Sequence, residues 1–97
     1  MKKRKTGRGF SLSEFSDGNG AACSAQKSSS AMRDMLWLGI DYPEPKIMAS
    51  KVIDGGTGWA KVPMHPDVLL TSRMHIDKEL ALELIGLLQT FVDTGDI

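Results

Sequence analysis

Apolar and polar side chains alternate from Phe10 to Phe15, with Phe10, Leu12 and Glu14 on one side and Phe15 on the other. That period of two predicts a short strand. Asp17-Gly18-Asn19-Gly20 follows, and Gly and Asn tolerate the positive φ that a tight hairpin needs. Ala21 to Ser30 then predicts the returning strand, although its residues are small and polar. Met35-Leu36-Trp37-Leu38-Gly39-Ile40 is a short apolar run bounded by Asp34 and by Asp41-Tyr42-Pro43, the clearest strand in the chain. Pro43 and Pro45 stop regular structure. Residues 41–67 read as a long irregular loop, with Lys46 to Ile53 as a short edge strand within it. Val68 to Ile76 predicts a further strand. Asp77 is a suitable N-cap for a helix over Lys78 to Val92, in which Leu80, Leu84, Leu87, Leu88 and Phe91 form an apolar stripe. Gly95 is placed to end it. These elements predict an α+β fold, a small antiparallel sheet with the C-terminal helix packed on one face.

The 97 residues suffice for a single domain over 10–97. A core of this size is modest, which favours oligomers, a dimer above all. No apolar run has the length of a membrane span, and the basic start is not followed by the apolar stretch of a signal peptide. The lone Cys23 forms no internal disulfide and has no zinc-ligand spacing around it. It reads as a small buried hydrophobe, and the cytoplasm as the natural compartment. Net charge is zero, but five of the twelve basic residues lie in the first eight positions, which leaves seven basic against twelve acidic residues in the rest. The acidic body argues against general nucleic-acid binding. The basic stretch, residues 1–9, reads as a disordered, solvated arm.

The alternation assigns side chains to sheet faces. Leu36, Leu38 and Ile40 share one face, suited to burial beneath the helix, as do Leu70, Met74 and Ile76. Trp37 and Gly39, with Arg73 and His75 on the later strand, then share the other. A flat indole stacks on a base, while Arg and His pair with phosphate. Gly39 admits the close approach of a ligand or another backbone. Ser24, Gln26, Lys27, Ser28, Ser29 and Ser30 offer further polar groups. Duller readings stand beside these. Trp37 also suits packing under the long loop or at a dimer interface. Arg73 suits an acidic neighbour, His75 a backbone partner at the helix start, and Ser28 to Ser30 an ordinary turn. A one-residue slip of register would exchange the faces. No phosphate loop with lysine, metal-binding histidine pair or nucleophile elbow is present. Asp54-Gly55-Gly56-Thr57-Gly58 lacks the strand-to-helix context of a nucleotide fingerprint.

Three runs carry a resemblance: Phe15-Ser16-Asp17-Gly18-Asn19-Gly20, then Cys23-Ser24-Ala25-Gln26-Lys27-Ser28-Ser29-Ser30-Ala31, then Trp37-Leu38-Gly39-Ile40-Asp41. With Ser72-Arg73-Met74-His75 and Leu88-Gln89-Thr90-Phe91-Val92-Asp93-Thr94-Gly95, they make the chain resemble a widespread family of small phage and prophage proteins. The likeness covers residues 15–41 and 71–97 and leaves out the basic arm and the loop at 42–67. It extends to phage sponges that sequester the cyclic-nucleotide alarm signals of bacterial defence, including the cyclic-oligonucleotide-based systems (CBASS). It implies tight binding without catalysis in the host cytoplasm, with no cofactor and no metal. The residues that match imply roles. Gln26, Lys27, Ser28 and Ser29 would contact phosphates and base edges, with Ser24 as a further donor. Arg73 would pair with phosphate, His75 would hydrogen-bond and Trp37 would stack. Two other functions remain open: an inhibitor that binds a host defence protein or nuclease through its sheet face, and a DNA-associated phage regulator that uses the basic arm.

Overall fold

The computed structural model describes residues 1–97. Its centre is the hairpin that the turn residues dictate. Strands β2 (Ser11–Ser16) and β3 (Ala22–Lys27) are joined through Asp17, whose Oδ1 accepts from the amides of Asn19 and Ala21, each at 2.9 Å. A side-chain cap of this kind fixes the turn and therefore the register. Strand β4 (Met35–Ile40) pairs with β3, and β7 (Met74–Asp77) pairs with β4. All neighbours are antiparallel, and with β1 (Lys2–Lys5) at the edge the sheet order is β1-β2-β3-β4-β7.

Strand β1 is Lys2–Lys5, inside the stretch that reads as a disordered arm. It pairs with β2 from Lys2 opposite Glu14 to Lys5 opposite Ser11. An ion pair of Arg4 with Glu14 and a bond from Lys5 to the Ser11 hydroxyl tie the two strands together. The sequence hides this strand because four consecutive cations show no alternation. Lysines along an edge also keep it from pairing with other chains.

The loop at 41–67 holds a small separate hairpin. Strand β5 (Lys46–Met48) pairs with β6 (Trp59–Lys61), and a short 3-10 turn lies at Ala49–Lys51. Only the first three residues of the edge strand expected at Lys46 to Ile53 are extended. The strand expected from Val68 shortens to Met74–Asp77. Val68, Leu69 and Leu70 are apolar but have no strand beside them. Leu70 and Met74, expected on the buried face, are exposed.

Helix α1 spans Lys78–Thr94. Asp77 caps its start by accepting from the Leu80 amide, and Gly95 closes its end in the left-handed conformation. The expected α+β class is found, but the helix is not laid across the sheet. It continues out of β7, and none of its residues is buried. The buried apolar residues of the whole chain are Leu12, Cys23 and Ile76. Leu36, Leu38 and Ile40, expected beneath the helix, are half-buried. No helix is long and apolar enough to cross a membrane.

Candidate functional site

The register assembles one polar and aromatic row across the sheet. Leu12 lies opposite Gln26, Gln26 opposite Trp37, and Trp37 opposite His75. Residues directly opposite in antiparallel strands share a face, so Gln26, Trp37 and His75 stand side by side. Ser24, two residues before Gln26, lies on the same face.

Each member of the row is held. The His75 imidazole stacks on the Trp37 indole with ring centroids 3.9 Å apart and planes 10° from parallel. His75 Nε2 shares a 2.9 Å hydrogen bond with the Ser28 hydroxyl. Ser28 is buried and also accepts from the Ser30 amide at 3.2 Å. Arg73 Nη1 donates to Gln26 Oε1 at 3.1 Å, and its guanidinium carbon is 5.7 Å from the Trp37 ring centroid, within cation–π range. Ser24 is buried and donates to Asp41. Side chains fixed in this way lose little rotamer freedom when a ligand arrives.

Gly39 makes the placement of Arg73 possible. A Cβ on Gly39 would stand 2.7 Å from the Ser72 carbonyl oxygen and 2.8 Å from the Arg73 Cα. The bare glycine thus lets the 72–73 backbone lie against β4. The Ser72 hydroxyl, which donates to the Ile40 carbonyl at 3.2 Å, fastens the crossing. The close approach expected at Gly39 is made by the chain's own backbone.

A cleft of about 580 Å³ opens on this face, within the usual range for small-molecule sites. Ser24, Gln26, Trp37 and Arg73 line it together with Arg4 and Glu14, and residues 41–43 and 69–72 supply further walls. Beyond Trp37 a smaller hollow of about 230 Å³ is lined by Arg8, Phe10, Gln26 and Ser29 among others. The Arg8 guanidinium lies 5.6 Å from the Phe10 ring centroid. Arg8 and Arg73 are in no ion pair, whereas Arg4 is matched by Glu14.

Six of the eight residues singled out from the sequence are therefore gathered on one face or directly beneath it: Ser24, Gln26, Ser28, Trp37, Arg73 and His75. Ser29 lies just past the end of β3, exposed, at the smaller hollow. Lys27 borders the smaller hollow with Ser29 but does not join the row. It is opposite Leu36, so it projects on the other face, and its ammonium group pairs with Asp34 at 3.2 Å. Consecutive strand residues point to opposite faces, so Gln26 and Lys27 cannot both project from the row. Arg4, Glu14 and Asp41 line the cleft without having been singled out as site residues, whereas Leu69 and Thr71, which line it too, follow from the same alternation that puts Arg73 and His75 on this face. The alternation of Leu12 and Glu14 was the available signal for Arg4, once a strand is paired beside it.

Comparison with family models, with curated proteins and with solved structures finds no match to this chain.

Proposed function

We propose that this protein is a non-catalytic binding protein that holds a nucleotide in the cleft beside Trp37. In its specific form, it is a phage anti-defence sponge that sequesters a cyclic oligonucleotide signal in the host cytoplasm. The observation that carries the reading is the state of Arg73. Its guanidinium is held between the Gln26 amide and the Trp37 ring, lines the cleft and has no carboxylate to neutralise it. A positioned, unneutralised guanidinium is a ready partner for phosphate. The adjoining indole and amide suit a base by stacking and by edge contact. Arg8, at the neighbouring hollow, would add a second cation for a ligand with two phosphates.

The test is a thermal-shift screen against cyclic di- and trinucleotides and ADP-ribose-type signals, with bound ligand recovered after heat denaturation. A ligand at a hundred times its Kd stabilises by about 2.7 kcal/mol, a shift of many degrees in a domain of this size. Such a shift, lost in Arg73→Ala, with the ligand recovered intact, is the expected result. A hydrolysed ligand would overturn the non-catalytic part.

A second reading rests on the β5–β6 hairpin, which exposes Trp59, Met48 and Ile53. Aromatic and Met side chains are enriched where proteins bind proteins. No shift with any nucleotide, and specific capture of a host defence protein that Trp59→Ser abolishes, would favour an inhibitor of that protein.

A further inference from the structure

The chain exposes far more surface than its mass requires. Its accessible area is 7946 Å², whereas a compact monomer of 10.6 kDa exposes about 5,500 Å². Its radius of gyration is 17.4 Å, against about 12.5 Å for a compact domain of this length. Only five of its 97 residues are buried. Part of that surface is the loop at 41–67 with its exposed Trp59 and Ile53, and part is the apolar face of α1. In α1, Leu80, Leu84, Leu87 and Phe91 form one seam, and Ala81, Ile85, Leu88 and Val92 form the seam beside it. Phe91 is 53% exposed, Leu88 56% and Val92 76%. Most of a helix's stability in a protein comes from packing an apolar face, and little of this one is covered.

We propose that the apolar face of α1 is a self-association surface, covered by a second copy of this chain. Two arguments select a second copy over a foreign partner. First, the excess of about 2,400 Å² over a compact chain exceeds the roughly 800 Å² per partner of a standard interface. A shortfall of this size concerns folding itself, so the partner has to be present wherever the chain is made, and a second copy always is. Second, the charges permit it. The formal net charge of the chain is zero, so copies do not repel one another as wholes. This proposal is independent of any ligand in the cleft.

Sedimentation velocity and light scattering on the full chain at micromolar concentration test it. At least twice the monomer mass is expected, with Leu88→Asp and Phe91→Asp each reducing it to the monomer mass. A monomeric wild type, or variants that keep the wild-type mass, would overturn the proposal. Because the variants can also unfold, two measurements on the wild type stand beside them. Its Tm rises with protein concentration if folding and association are linked, and its α1 amides exchange as slowly as those of β3. A Tm independent of concentration, or α1 amides exchanging at the rate of a free helix, would overturn it equally.

Discussion

The imidazole of His75 lies flat on the indole of Trp37, 3.9 Å away and 10° from parallel, and the same imidazole is bonded to the buried Ser28 hydroxyl. One side chain thus joins β7, β4 and the segment that leaves β3. A stacked pair adds roughly 0.5–1.5 kcal/mol and a hydrogen bond a similar amount. His75→Ala should therefore lower unfolding stability by about 1–3 kcal/mol. His75→Phe, which keeps the stack and loses the bond, should recover about half of that. Urea titrations of the three proteins check this, and equal midpoints would show that the stack adds nothing.

Trp37 separates stacking from mere bulk. If the cleft holds a base, Trp37→Phe retains a π-face and should weaken binding only a few-fold. Trp37→Leu removes it and should weaken binding by about tenfold or more, since stacking on an aromatic contributes roughly 1–3 kcal/mol per base. Calorimetric titration with the nucleotide that stabilises the wild type makes the comparison.

Gly39→Ala puts a methyl group into the backbone at 72–73. Overpacking of this kind costs about 1–3 kcal/mol, and the segment that carries Arg73 must move. The expected outcome is a lower Tm together with a loss of nucleotide affinity comparable to that of Arg73→Ala. Wild-type affinity and Tm in this variant would show that the crossing is loose.

Asp34 receives Lys78 at 3.0 Å and Lys27 at 3.2 Å. Their hydrogen bonds, chiefly that of Lys78, hold its carboxyl below the usual range. With the folded value depressed, the stabilisation is complete above the unfolded value of about 4 and is lost as pH falls through the folded one. Asp34→Asn should thus be slightly less stable than the wild type at pH 7, with the gap closing in acid. The groups are exposed, so molar salt should also shrink it. Melts across acid pH at low and high salt give the answer.

Cys23 is buried, and burial, reinforced by the charges of Asp17 and Asp41, raises its thiol pKa. Thiolate is the reactive form, so a disulfide reagent should label the native chain at least about tenfold more slowly than the chain in urea. Equal rates would place the thiol in solvent.

The sequence displayed its local signals well. Asp17 to Gly20 declared the hairpin, Met35 to Ile40 declared a strand, and Asp77 and Gly95 framed the helix. Alternation alone placed Trp37, Arg73 and His75 together. Pairing partners were less visible. Lys2 to Lys5 became a strand because β2 offers it an edge and a carboxylate, which no pattern within four cations reveals. Val68 to Leu70 are apolar enough for a strand but meet no neighbour. Lys27 was grouped with Gln26 by chemistry, although adjacency in a strand separates them. The stripe on α1 showed that the helix has a face to bury, but an amphipathic pattern carries no information about what lies against it.

The two tryptophans differ in their surroundings: Trp59 stands out on the small hairpin, 71% exposed, while Trp37 is half-buried with His75 stacked on it. The chain therefore carries a built-in optical probe with two channels. An aqueous quencher should reach Trp59 first and strip away the red side of the emission band. The light that remains comes from the indole in the cleft. In a Trp59→Phe protein that residual signal becomes the whole spectrum, and any molecule settling beside Trp37 can be followed by fluorescence without attaching a label.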